Sequence, residues 1–100
     1  MFETRRRDDV MVIRCSGELT REELSRIAAL GRAARDEGSR VVVDLKRVTH
    51  LHYAGAELLR AIPGLRAAGA SRYVRDLVFA GGAGGYVELY GDVEEAVRAA

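Results

Sequence analysis

The 100-residue chain contains one cysteine, one proline and two histidines, and each scarcity closes off a class of explanation. Cys15 has no partner for an internal disulfide. It lies in an apolar, β-branched stretch with no base beside it, so it reads as a small core residue and not as a nucleophile. No apolar run approaches the roughly 18 residues that cross a bilayer. Near the N-terminus, Glu3, Arg5, Arg6, Arg7, Asp8 and Asp9 interrupt any apolar leader. The expectations are therefore no direct membrane insertion and a cytoplasmic location. Charge of one sign is not in excess, since sixteen basic residues face fifteen acidic ones. The one basic run, Arg5-Arg6-Arg7, is offset at once by Asp8 and Asp9, so nucleic acid is not an expected partner. No grouping of carboxylates suited to catalysis emerges either. Glu22-Glu23 and Glu94-Glu95 sit at helix starts, and the chain is expected to be no enzyme, with no catalytic residue, no cofactor and no bound metal.

What is present is the balance of a soluble globular chain, 48% hydrophobic and 31% charged, enough for one domain over residues 1–100. Phe2 to Arg7 and Val10 to Gly17 read as two strands joined by a turn at Asp8-Asp9. Thr20 with Glu23 has the spacing of a capping box. Leu24, Ile27, Ala28, Gly31 and Ala34 then recur at helical spacing, predicting a helix from Arg21 to Glu37 that Gly38 ends. Arg40 to Leu45 is a nearly continuous apolar run, the pattern of a strand covered on both faces. Ala54, Leu58, Leu59, Ile62 and Leu65 predict a second helix from Tyr53 or Ala54 toward Ala68, kinked or broken at Pro63. Leu77 to Ala80 reads as a further strand, Gly81 to Gly85 as a flexible connection and Tyr86 to Tyr90 as a short edge strand. Asp92 with Glu95 opens a last helix. The predicted class is α/β, a mixed sheet of four to five strands packed with helices, in the order β-β-α-β-α-β-(β)-α.

Two stretches taken together resemble the STAS domain, the fold of bacterial anti-sigma factor antagonists, also found on sulfate transporters and in lipid-transport ABC complexes. They are "SGELT", Ser16 to Thr20, and "VVVDLKRVTHLHYAGAELL", Val41 to Leu59. The second is similar to the family pattern of an apolar strand ending Asp-Leu, a small polar loop, then Asp-Ser-Ser/Thr-Gly opening a helix. "GDVEEAVRA", Gly91 to Ala99, is similar to the family's last helix. Matched residue by residue, His52 stands where the family has Asp, Tyr53 where it has the phosphorylated Ser or Thr, and Gly55 on the glycine. Tyr53 holds its oxygen several ångströms further from the backbone than serine does, so the resemblance implies a member that Ser/Thr phosphorylation does not switch. Relative to the family the chain is short of about one helix between helix two and the last, and Gly81 to Gly85 is read as replacing it. The competing alignment puts that helix on Tyr73 to Gly81 and loses a strand.

The loop from Thr49 to Tyr53 is the expected contact site, joined by Glu57 and Arg60 on the outer face of helix two, because an exposed tyrosine beside a carboxylate and a guanidinium suits a protein contact. The resemblance implies as partner an anti-sigma kinase-like regulator, an assembly of STAS domains, or an ABC-transporter ATPase subunit, for which the chain is a non-catalytic regulatory module. The alternative is a small-ligand or metal site. His50 and His52 are two apart, so an extended backbone points both imidazoles the same way, yet a zinc site needs a third ligand. His52 is instead placed to cap helix two. Self-association through the edge strand Tyr86 to Tyr90, giving a homodimer, is a further expectation. The glycines from Gly81 to Gly85 lack the Lys-Ser/Thr of a phosphate-binding loop and read as a connection only.

Overall fold

The computed structural model describes residues 1–99. Asp8, in left-handed backbone at φ 53°, turns the chain between β1 (Phe2–Arg7) and β2 (Val10–Leu19), which pair antiparallel as the sequence predicts. β3 (Arg40–Leu51), β4 (Arg66–Ala68) and β5 (Glu88–Tyr90) then add in parallel, giving a five-stranded mixed sheet in the order β1-β2-β3-β4-β5. Parallel neighbours need crossovers. These are α1 (Arg21–Asp36), a 3₁₀ helix (Tyr53–Ala61) and α2 (Arg72–Ala80).

α1 forms as its sequence dictates. Thr20 accepts the amide of Glu23 at 3.2 Å, the predicted apolar positions Leu24, Ile27, Ala28, Gly31 and Ala34 are the buried ones, and Gly38 leaves the helix at φ 90°. A Cβ on Gly31 would lie 2.3 Å from Ile62 Cδ1, so the bare glycine is the socket for that fully buried side chain. The larger core lies between the sheet and α1, the 3₁₀ helix and α2, around Ile13, Leu24, Ile27, Leu45, Ile62 and Leu65. A smaller one lies on the other face, where Val10, Val12, Val42 and Ala68 meet Ala96 of α3 (Val93–Arg98).

The end of α3 is held by two guanidiniums from the sheet. Arg66, only 9% exposed, donates from Nη1 to the carbonyls of Ala96 at 3.1 Å and Ala99 at 2.7 Å. Arg40 donates to those of Val97 and Ala99 at 3.2 and 3.3 Å. Terminal helix carbonyls have no partner within the helix and carry partial negative charge, so cations are favoured there.

The α/β class and the five-stranded mixed sheet are as expected, but the middle of the chain differs from its predicted order. The second helix does not reach Ala68: it is a 3₁₀ helix that stops at Ala61, Ile62 is already extended at φ −100°, ψ 102°, and Arg66 to Ala68 form β4. Pro63 is the reason, since it disfavours helical geometry at Ile62. Leu77 to Ala80 are not a strand but the last turn of α2, whose Ser71 side chain accepts the amide of Val74 at 3.1 Å. Gly81 to Gly85 therefore replace no helix. They follow one, and the strand that the competing alignment lacked is β4. The observed order is β-β-α-β-3₁₀-β-α-β-α.

Cys15 is 4% exposed, and burial pushes its thiol up to about 12, which leaves it neutral and unreactive. A thiol raised in the folded chain retains a proton that the unfolded chain has released, so its contribution is complete below the ordinary thiol value of 9.0 and is lost as pH rises toward 12. Stability is expected to fall by about 2 kcal/mol by pH 10.5 from this group. Urea midpoints measured across that range for the wild type and for Cys15→Ala should converge in slope only if another group is responsible.

No helix among the described residues is long and apolar enough to cross a membrane.

Candidate functional site

The two sequence stretches that stood out, "SGELT" and "THLHYAGAE", meet in space. The ends of β2 and β3 run side by side, Glu18 opposite His50 and Leu19 opposite Leu51. Leu19 and Leu51 are fully buried, which fixes the register, and the amide of His52 donates to the Leu19 carbonyl at 3.0 Å. The loop thus leaves the sheet at a defined point, with Thr49 and His52 exposed and His50 partly so.

His52 takes the capping position expected of it. Its backbone is extended, and Nδ1 accepts the amide of Gly55 at 3.1 Å. An imidazole nitrogen that accepts carries no proton, so the neutral ring holds its hydrogen on Nε2 and offers no further lone pair to a metal. His50 is engaged separately, with Nδ1 2.8 Å from the Tyr73 hydroxyl and the two rings 5.8 Å apart. Among the described residues no group of three or more His, Cys, Asp or Glu is arranged to hold a metal ion. The two histidines that draw attention in the sequence serve different contacts.

Removing the cap tests its role. His52→Ala is expected to cost about 1 kcal/mol, and His52→Asp to equal or exceed the wild type, because aspartate is among the best N-cap residues. Urea denaturation of the three proteins measures both; an alanine variant as stable as the wild type would show that the Gly55 amide loses nothing.

Tyr53 begins the 3₁₀ helix with its side chain exposed. Its carbonyl lies against Gly81, where a Cβ would be 2.1 Å from Tyr53 O and 2.6 Å from Ala56 Cβ. α2 can end this close to the 3₁₀ helix only because residue 81 has no side chain. The other expected contact residues diverge. Glu57 lines a shallow groove with Arg21, Ala54 and Leu58 toward α1. Arg60 turns to Tyr86, with its Cζ 4.0 Å from the ring centroid and Nη2 donating to the hydroxyl at 2.8 Å.

Tyr86 belongs to a group that the sequence reading did not assemble. Tyr53, Tyr73, Phe79 and Tyr86 are 59, 53, 55 and 54% exposed, so four of the chain's six aromatic side chains are largely in solvent. They are carried by the 3₁₀ helix, by α2 and by the loop that follows it: Tyr73 meets His50, and Tyr86 meets Arg60. Phe79 lies over Gly84, whose Cβ would sit 2.0 Å from the ring, and Gly81 joins that loop to Tyr53. At Gly81 and Gly84, backbone and an aromatic ring occupy the space a side chain would take, whereas Gly82 has open space and a left-handed φ of 87°. The signal that could have revealed Tyr73 and Phe79 is the Ser71 cap followed by Val74 and Val78 at helical spacing.

The comparisons with known proteins agree on the architecture. The family model described as "Mlab, STAS domain" matches residues 2–90. The unphosphorylated form of the anti-sigma factor antagonist SpoIIAA is 23% identical, with a TM-score of 0.71 over 97% of this chain and 93% of that one. A putative anti-sigma factor antagonist from Thermotoga maritima is 16% identical, with a TM-score of 0.73 over 96% of this chain and 91% of its own. The phosphorylated form of the Bacillus cell fate determinant SpoIIAA is 20% identical, with a TM-score of 0.61 and coverage of 97% and 96%. No curated protein sequence matches at a significant level.

Proposed function

The chain belongs to the STAS domain family, and from that premise we propose that it is a non-catalytic regulatory module that works by binding another protein. The aromatic face around the 3₁₀ helix carries the reading. Exposed tyrosine and phenylalanine side chains supply large contact area with few rotatable bonds. In this reading Thr49, His50, His52 and Tyr53 form one margin of the contact, Arg60 and Tyr86 another, and Glu57 extends it toward α1.

The contact is not governed by Ser/Thr phosphorylation. Tyr53 offers no aliphatic hydroxyl at the position where the family carries its acceptor, Ala54 offers none at the next, and His52 fills the capping role by accepting the Gly55 amide. A subunit that stays docked needs no acceptor hydroxyl, and this favours an ABC-transporter ATPase subunit as partner over an anti-sigma kinase.

Calorimetric titration against an ATPase subunit and an anti-sigma kinase from the same genome compares the two. Tyr53→Ala is expected to weaken binding to the true partner about tenfold or more, roughly 1.4 kcal/mol or above. After incubation with the kinase and ATP, intact mass is expected to be unchanged. A gain of one phosphate on the loop would overturn the unswitched reading, and full affinity in the Tyr53 variant would overturn the site.

A further inference from the structure

The sheet has a second surface, facing away from α1, the 3₁₀ helix and α2. Glu3, Arg5 and Arg7 of β1 lie opposite Arg14, Val12 and Val10 of β2, and paired residues share a face. α3 covers only the Val10, Val12, Val42 and Ala68 part of it. Beside α3 an open cleft of about 260 Å³ remains, with Arg5, Arg7, Arg14, Asp44, Lys46 and Arg47 on its walls, the buried Val12 at its floor and the partly exposed Val93 at its edge.

A bulge in β3 concentrates charge here. Arg14 pairs with Asp44 and Ser16 with Arg47, so β3 spends one residue more than β2 on this span. In a regular strand Lys46 and Arg47 would point to opposite faces. With the bulge both are exposed and both line the cleft, while Leu45 remains in the core. Arg7 is taken up by Glu94 at 2.6 Å, and Arg14 faces Glu3 at 3.5 Å. Arg5, Lys46 and Arg47 enter no ion pair among the described residues.

We propose that this cleft is a second binding surface, for an acidic peptide segment of a partner protein, independent of the aromatic face. Three uncompensated cations select an anionic ligand. Asp44 stands among them and Glu3 faces Arg14 beside the cleft, which opposes the dense negative charge of a nucleic acid, and the chain's formal net charge is only +1. The partly exposed Val93 at the cleft edge offers an apolar contact beside the cations, which suits a peptide whose carboxylates are separated by apolar side chains and not a phosphate chain.

The test titrates the ¹⁵N-labelled full chain with a synthetic peptide of alternating glutamate and valine, and with its lysine counterpart. Amide shifts are expected at Arg5, Arg14, Lys46 and Arg47 with the acidic peptide only, leaving Tyr53 and Gly81 unmoved. The double substitution Arg5→Glu with Arg47→Glu is expected to weaken binding at least tenfold; Lys46→Glu alone, expected at about threefold, serves if the double variant does not fold. The proposal is overturned if the lysine peptide binds as well, if the shifts fall on the aromatic face, or if the charge reversals leave affinity unchanged. It is also overturned if inorganic phosphate or a short single-stranded DNA displaces the peptide at lower concentration, which would make the ligand a phosphate.

Discussion

An Arg66→Met protein is expected to be about 3 kcal/mol less stable than the wild type, with α3 the first element lost. Methionine keeps the length and apolar stem of the side chain, so the change isolates the guanidinium. That group donates to the carbonyls of Ala96 and Ala99 from a nearly closed site and lies 5.9 Å from the Tyr90 ring centroid. Hydrogen bonds from a charged donor contribute about 1.5–3 kcal/mol each, and their loss leaves acceptors at a half-covered helix end. Arg40→Met should cost less, because Arg40 is more exposed and divides its donors between α3 and Asp9. Urea midpoints give the stabilities, and amide exchange at Ala96 shows whether α3 opens first. Unchanged protection in the Arg66 variant would mean that apolar packing alone holds the helix.

Gly81→Val is expected to produce a loss of similar size by the opposite route, insertion in place of removal. Its Cβ alone would lie 2.1 Å from a backbone oxygen and 2.6 Å from Ala56 Cβ, and neither can swing aside as a long side chain would. Overpacking of this kind costs about 1–3 kcal/mol, and valine's two further methyls place this site at or above the upper end. Because the clash is with Tyr53, the variant should also weaken partner binding more than its stability loss explains under conditions where it remains folded. Gly82→Ala, a control without a neighbour within 4 Å but in left-handed backbone, should lose stability modestly and leave binding unchanged. Equal binding by the Gly81 variant would separate the glycine contact from the site.

What could be read in the sequence follows from how much local chemistry each element carries. α1 has a cap, a full helical stripe and a glycine stop, so three independent signals agree. β2 and β3 are long and β-branched. β4 is Arg-Ala-Ala, three residues with little strand propensity, held because Val42 to Asp44 of β3 lie on one side of it and Glu88 to Tyr90 of β5 on the other. Leu77 to Ala80 has the composition of a strand and becomes helix because Val74 and Val78 pack inward together. A 3₁₀ helix and an α-helix share most of their apolar spacing over one or two turns, so Tyr53 to Ala61 could be recognised as helical but not as the tighter form. At the site, the His52 cap was legible because it depends on neighbours three residues away. The exposure of Tyr73 and Phe79 was not, because they are presented by a helix that the apolar composition concealed. The convergence of Lys46 and Arg47 was equally hidden, since a bulge is a property of two strands.

The strands lie in the sheet in the order in which they occur along the chain, and this has a consequence for how the domain is assembled. No strand must insert between two that are already joined. As the chain leaves the ribosome, β2 finds β1, β3 finds β2, and each later strand finds a waiting edge. Neither of the costly steps of sheet formation, holding an edge open for a late arrival or prying apart a completed pair, is required. The exception is the face beneath α3, whose valines are laid down first and covered last. Until Arg40 and Arg66 capture the final helix, that apolar strip is the part of the nascent domain exposed to the wrong partner.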